Sequence, residues 1–420
     1  MKQNPARARS RSTALALAKG TDGRPAWSFL FMLAAMSAMG PLSIDTCLPS
    51  LLAIEQDLHA ASGTGAEVIS IFFGGLAIGQ LIYGPASDRL GRRGPLLFGY
   101  ALYLIGSIAC AMAPSAEALL WARLAQALGG CASMVVTRAV VRDLFDHHES
   151  AHMFSLLALV TGAAPILAPL LGSQLLRFMG WRAVFAVLAI FGSAVGLAVL
   201  LRLPESRSDA VAQRARSEHP LQAYAALFAN SRLVGYLLAG ALNSACIFTY
   251  ISLSSSVLIG VYGLTPTSFG LVFGINSVGL ISASHVNRLL LRRYSPDQIL
   301  AGAGIASALF ALAVAAVAAL GIRELFALLL PLFCTIASSS LIQANALAGA
   351  LAVDATRVGS AAALFGAGGF GVGALVSSIA GALHDGTARP MGFAIACCLM
   401  GCALSLHGLA LRHRNRRHTD

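Results

Sequence analysis

About twelve stretches of roughly 20 apolar residues divide this chain, and no other feature limits its fold as much. They run over 27–53, 66–87, 94–113, 116–140, 152–176, 182–203, 232–259, 267–290, 297–320, 325–349, 358–383 and 388–411, with short polar turns between them. A helix of about 20 apolar residues crosses the hydrocarbon core of a bilayer while satisfying its own backbone polar groups. Of the 420 residues, 57% are hydrophobic and 11% charged, and the mean hydropathy is +0.75. A water-soluble chain of this length needs far more polar surface. The expected fold class is all-α: a polytopic membrane protein with twelve transmembrane helices in two six-helix bundles.

A net charge of +11 raises the possibility of nucleic-acid binding, but its distribution points to a membrane instead. With successive loops assigned to alternate sides, twenty-four of the 29 Lys and Arg residues fall on one side and four on the other, and Arg123 lies inside a helix. The positive-inside rule then puts both termini in the cytoplasm, with the basic tails near anionic headgroups. All eight cysteines lie in apolar stretches and read as small packing residues.

The longest polar interval after the N-terminus, 204–231, gives the expected organisation. A cytoplasmic tail (1–26) precedes a six-helix bundle (27–203), a cytoplasmic linker (204–231), a second bundle (232–411) and a basic tail (412–420). The halves echo each other. Phe73-Gly74-Gly75 leads into Asp88-Arg89-Leu90-Gly91-Arg92-Arg93, and Phe273-Gly274-Ile275 leads into Asn287-Arg288 and Arg292-Arg293. Parallel repeats of this kind set a substrate site between halves near the bilayer midplane.

The run Gly84-Pro85-Ala86-Ser87-Asp88-Arg89-Leu90-Gly91-Arg92-Arg93-Gly94-Pro95 resembles the loop signature between helices two and three of the major facilitator superfamily. Three further segments resemble its Bcr/CflA branch of bicyclomycin and chloramphenicol resistance proteins. They are Ile44-Asp45-Thr46-Cys47-Leu48-Pro49, Arg138-Ala139-Val140-Val141-Arg142-Asp143, and the run from Ala164 to Gly172. The resemblance covers roughly 27–411 and implies a drug:proton antiporter. It also implies a conformational latch in the Gly84–Pro95 loop. In that loop Gly84 would let helices approach closely, and Pro85 would bend the helix end. Asp88 would receive a helix dipole or an Arg, with Arg142 its expected partner. Arg89, Arg92 and Arg93 also anchor topology, and retention of the loop inside is the plainer reading of each.

Two ionisable residues lie well inside spans. A carboxylate in hydrocarbon costs on the order of 3 kcal/mol, and such groups are kept for function. Asp45 therefore reads as a proton or cation carrier, able to hold or release a proton near neutral pH in a low dielectric. The alternative is that it merely ends the first helix near Pro49. Arg123 cannot usefully lose its proton. The resemblance links it to proton translocation, where it would tune an acid or bind backbone carbonyls and Gln126. The alternative is snorkelling to the outer interface.

In the fifth span Gly162, Pro165, Pro169 and Gly172 resemble the antiporter signature of drug exporters. It departs from that signature where Ala164 replaces a Gly and Ser173 follows Gly172. Two prolines four residues apart imply a bend, and the small residues allow tight packing. The second half carries no deep acid. Its Asn243, Ser244, Thr249, Tyr250, Asn276, Gln343 and Asn345, with Phe248, Phe273 and Phe365, are candidates to line an apolar pocket together with Gln126. Each of them alone also suits a helix–helix contact. No Walker sequence is present, so a proton gradient rather than ATP is the expected drive, with no cofactor. His147-His148-Glu149 with His152 reads as a solvated turn rather than a metal site.

The functional expectation is proton-coupled export of drug-like or amphipathic molecules across the bacterial inner membrane by a monomer. Transport of a natural metabolite, or a non-transporting sensor on the same scaffold, are the alternatives.

Overall fold

A computed structural model describes residues 27–207, 213, 220–354 and 357–411. Both tails, with the charges expected near headgroups, and residues 208–212 and 214–219 of the linker lie outside the described residues. Among the described residues twelve helices are long and apolar enough to cross a membrane, and no strand occurs. In chain order the spans are α1 (Trp27–Asp57), α2 (Thr64–Leu90), α3 (Arg93–Ala111), α4 (Ala116–Leu144), α5 (His147–Met179) and α6 (Trp181–Arg202). The second half has α7 (Ser231–Val261), α8 (Pro266–Leu290), α9 (Pro296–Ala319), α10 (Leu325–Val353), α11 (Val358–Ala382) and α12 (Arg389–Ala410). With an even number of spans, residues 27 and 411 end on one face, here called the tail face; the other is the far face.

Short polar turns start these helices by capping them. Ser115 accepts from the Ala118 amide at α4, and Asn230 from the Arg232 and Leu233 amides at α7. Reciprocal capping boxes, Asp146 with Glu149 and Ser295 with Gln298, open α5 and α9. His147-His148-Glu149 is thus the first turn of α5. Among the described residues no group of His, Cys, Asp and Glu is arranged to hold a metal.

Two spans are irregular. Helix α1 stops at Asp45, turns through Thr46 and Cys47, forms a 3-10 turn at Leu48–Ser50 and resumes over Leu51–Asp57. Pro49 has no N–H to donate and disfavours helical backbone at Leu48, which accounts for the break. At its far end α7 widens into a π-helical turn over Ser256–Val261.

Within the first half α1 packs on α4 and α5, α2 on α4, and α3 on α4 and α6; within the second, α7 packs on α10, α11 and α12, α8 on α10, and α9 on α10 and α12. The halves meet through α2 against α11 and α5 against α8. The α2–α11 seam is closed at the far end, where Gly63 and Ala66 lie against Gly381. It continues through a 2.7 Å hydrogen bond between the Ser70 and Ser377 hydroxyls to Gln80 over Gly366. Towards the tail face it ends: a side chain at Gly84 or Gly359 would meet nothing within 4 Å. Gly84 thus supports no close helix approach here, and α2 runs unbroken through Pro85.

Candidate functional site

Asp45 is the last residue of the first helical segment of α1, 4% exposed. Asp45 thus ends a helical segment, as the plainer reading had it, and it is also buried. Among the described residues it forms no salt bridge and no side-chain hydrogen bond. The turn that follows it touches α5, α7 and α8, so the carboxyl group sits where the halves join. It lies near Tyr250 of α7. The Tyr250 oxygen accepts a 2.8 Å hydrogen bond from Asn276 of α8, and its ring stacks on Phe273.

Arg123 is fully buried in α4 rather than snorkelling. It donates to Gln126 Oε1 at 2.7 Å, to the Ser43 carbonyl at 3.2 Å and to the Val68 carbonyl at 3.4 Å. Its guanidinium lies 4.2 Å from the Phe72 ring centroid and 5.5 Å from that of Phe185. One terminal nitrogen, Nη2, has no hydrogen-bond partner. Gln126 passes the network on to Ser107, and Tyr103 meets Ser43, whose own hydroxyl donates to the Met39 carbonyl. Arg123 therefore fastens α4 to α1, two residues before Asp45, and to α2, and among the described residues it pairs with no acid.

At the tail face, Arg92 is the centre of the α2–α3 loop. It is 4% exposed and binds Asp88, four residues earlier, together with Asp143 at 2.8 Å and the Ser87 hydroxyl at 2.9 Å. Burial opposes its charge, but the two carboxylates outweigh this and hold the Arg92 guanidinium above its ordinary value. The expected pairing of Asp88 with Arg142 is corrected: Arg142 is exposed, and Asp143 occupies the inward position. One residue turns a helix by about 100°, so the inward side chain on this end of α4 is the acid.

Glu205, just past α6, was not anticipated. Its carboxylate accepts from the backbone amides of Arg92 at 2.8 Å and Arg93 at 3.3 Å, capping the start of α3. Gly91 has φ +105°, and a Cβ there would run into this carboxylate. Arg207 donates to the carbonyls of Asp88 at 2.9 Å and Arg89 at 2.5 Å, and Arg93 to that of Leu200 at 2.7 Å. The linker's first residues thus clasp the loop. The signal available beforehand was an acid-base pair directly after Pro204, where the apolar stretch ends.

The α5 segment lies between the halves, and the helix continues through Pro165 and Pro169. A Cβ on Gly172 would collide with the Thr46 carbonyl, so α5 presses on the turn beside Asp45. Gly162 faces Ile281 of α8, and the Pro169 carbonyl faces Gly270.

The pocket candidates do not converge. Asn243 donates to Gln343 and to the Ser339 carbonyl, both at 3.1 Å, joining α7 to α10. Asn345 donates to Asn287 at 2.7 Å, joining α10 to α8. Gln126 belongs to the Arg123 network, and Phe365 packs on Gly240. Tyr250 and Asn276, with Phe273 stacked on Tyr250, are the candidates grouped near Asp45. The reason is general: an amide buried among helices is satisfied by the nearest helix. A separate apolar cavity of about 560 Å³, lined by residues such as Leu242, Ile379 and Phe393, opens between α7, α11 and α12 and includes none of these candidates.

The chain matches the family model of the Major Facilitator Superfamily over residues 27–381. It is 32% identical over 375 residues to an uncharacterized MFS-type transporter, YdgK, of Bacillus subtilis, covering 88% of this chain and 92% of the relative. It is 27% identical to a bicyclomycin resistance protein homolog of Haemophilus influenzae, covering 93% and 98% respectively. With a chloramphenicol resistance protein of Pseudomonas aeruginosa it shares 29% identity, over 66% of this chain and 65% of that one. Among solved structures, a peptide transporter, POT, in complex with sulfate superposes with a TM-score of 0.75 at 15% identity, covering 96% of this chain and 98% of the other. A D-xylose-proton symporter gives 0.68 at 15% identity, over 91% and 97%. These relatives and neighbours are membrane transporters, not enzymes. With twelve spans, bundles that meet at α2–α11 and α5–α8, and a sequence match over most of its length, the chain belongs to the major facilitator superfamily.

Proposed function

We propose that this multi-pass transporter exports small drug-like or amphipathic molecules in exchange for protons, by alternating access of its two bundles. It would work as a monomer in the bacterial inner membrane with both termini cytoplasmic. Relatives with resistance names support the substrate class. The observation that carries the coupling is Asp45: a buried carboxyl group at a break in α1, without an ion-pair partner among the described residues, on the seam between halves. An unpaired buried charge is costly, so the state of the seam and the protonation of the acid are linked. A cationic substrate would compete with the proton for the carboxylate. A neutral one would be exchanged through the change of conformation that neutralising Asp45 permits.

Arg123, locked to carbonyls and Gln126, would hold α1 and α2 in register around that acid rather than exchange protons. The Arg92 cluster and the Glu205–Arg207 clasp would serve as the cytoplasmic latch. The tail-face opening of the α2–α11 seam fits a cargo entering from the cytoplasm.

Cells expressing the protein should tolerate higher concentrations of amphipathic antibiotics, and proteoliposomes with an imposed pH gradient should move the same compounds. Asp45→Asn should abolish gradient-driven movement while sparing exchange of substrate for substrate. Full gradient-driven flux in that variant would remove Asp45 from the mechanism.

A further inference from the structure

The apolar cavity beside α7 has a charged rim. Ile379 and Leu383 follow one face of α11, Phe393 and Cys397 one face of α12, and Leu242 of α7 lies between them. Ile379, Leu383, Phe393 and Cys397 are exposed, so the cavity is a groove open along the outer side of the bundle, where the protein meets lipid. From Arg389 to Cys397 it descends about 12 Å, most of one leaflet's share of a hydrocarbon core about 30 Å thick. At the far-face end Asp385 and Arg389, both exposed, line the same cavity. Arg389 Nη2 donates to the Ala319 carbonyl at the end of α9, at 3.3 Å, which fixes the guanidinium at that boundary. Asp385 Oδ1 accepts from the Thr387 amide at 3.0 Å and the Thr387 hydroxyl at 2.6 Å. These bonds, with Arg389 nearby, hold the Asp385 carboxyl below the usual carboxylate range, so it is ionised at neutral pH. Among the described residues no salt bridge joins Asp385 to Arg389, and both charges remain open to a ligand.

Within a bilayer one acyl chain in the groove replaces another at little gain, because lipid tails are as apolar as leucine. Selection among lipids must therefore come from the rim. One positive and one negative group at the head of an apolar groove match a headgroup that is itself a pair of opposite charges. The remaining N–H groups of Arg389 suit a phosphate. The Asp385 carboxylate suits a primary ammonium, which brings three N–H donors. Phosphatidylglycerol would offer the phosphate but no positive charge to Asp385, and the quaternary ammonium of phosphatidylcholine has no N–H to donate. We propose that this groove is a phospholipid site that selects phosphatidylethanolamine from the leaflet at the far face, with one acyl chain along Ile379, Leu383 and Phe393, the phosphate on Arg389 and the amine on Asp385. The cavity's 560 Å³ falls within the range of ligand sites, about 300–1,000 Å³. Helix α11, which forms one wall, also carries Ser377 and Gly381, so the groove backs the closed far end of the α2–α11 seam.

The test reads occupancy rather than transport, so it stands apart from the export reading. Cys397 is exposed inside the groove, whereas Cys334 is half-buried and the other six cysteines are buried. The full-length protein is reconstituted in phosphatidylcholine vesicles and treated with N-ethylmaleimide, and peptide mass spectrometry follows Cys397, with Cys334 as the internal reference. Replacing part of the phosphatidylcholine by phosphatidylethanolamine should slow alkylation of Cys397 about tenfold, the protection given by a site roughly nine-tenths filled. Phosphatidylglycerol should give no such protection. Arg389→Gln should lose the protection by phosphatidylethanolamine. Asp385→Asn should lose the discrimination, so that phosphatidylglycerol protects as well as phosphatidylethanolamine. An unchanged melting temperature reports that each variant is folded. Equal reactivity of Cys397 in all three lipids would overturn the site, as would undiminished protection by phosphatidylethanolamine in Arg389→Gln. Stronger protection by phosphatidylglycerol in the unsubstituted protein would reduce the rim to a plain anion site and refute the role of Asp385.

Discussion

Helices α2 and α8 hold equivalent places in the two halves, yet they end very differently. Each carries a phenylalanine near its middle that stacks on an aromatic ring of α7. Phe73 lies 4.2 Å from Phe248, which in turn lies 4.9 Å from Phe370 of α11; Phe273 stacks on Tyr250 at 5.4 Å. The first contact crosses between halves and must part if the bundles rock, whereas the second stays within one bundle. At their tail-face ends the contrast is one of charge. The α2 end is held by buried Arg92 between Asp88 and Asp143, with Glu205 and Arg207 clasped over it. At the α8 end Asn287 accepts one neutral hydrogen bond from Asn345, while Arg288, Arg292 and Arg293 are exposed. A repeated scaffold can thus carry an ionic latch in one copy and an uncharged joint in the other. Breaking buried ion pairs leaves unpaired charge, while breaking an amide pair does not.

That asymmetry can be broken experimentally. Arg92→Ala should cost the most, about 3–5 kcal/mol, because it removes a buried guanidinium and its ion pair with the largely buried Asp143 and leaves a void; thermal unfolding in detergent reads it. The counterpart Arg292→Ala should stay within about 0.5 kcal/mol. Gly172→Ala should come next, at about 1–3 kcal/mol with a loss of transport rate, since its methyl group meets the Thr46 backbone. Gly162→Ala, which faces only the Ile281 side chain at 3.6 Å, should be mild in the same assay. Glu205→Gln keeps the shape but weakens three amide contacts, and a loss of about 1–2 kcal/mol should appear in the same melting curves. Asn287→Ala should cost about 1 kcal/mol, since Asn345 retains the Leu341 carbonyl at 2.8 Å. Arg142→Ala should have the smallest effect, within about 0.5 kcal/mol in stability, and equality with Arg92→Ala would refute the placement of Asp143 as the inward acid.

Hydropathy and charge asymmetry were enough to specify twelve helices, their approximate limits and the special standing of Asp45 and Arg123. Those properties are carried locally: twenty apolar residues have one low-energy answer in a bilayer, and a charge among them is conspicuous wherever it points. The loop motif likewise singled out Asp88 and Arg92, but it gave Asp88 the partner Arg142, where the structure has Arg92. What the sequence could not contain was the pairing of distant segments. Asp143 rather than Arg142 turns inward because α4 arrives at one particular rotation. Glu205 caps α3 because α6 ends beside it, 113 residues further along the chain. The polar residues of the second half divide among three helix junctions instead of gathering in one pocket, because each buried amide is satisfied by its nearest neighbour. Composition and periodicity determined which helices form, while the rotation and adjacency of those helices, set only by packing, decided which side chains meet.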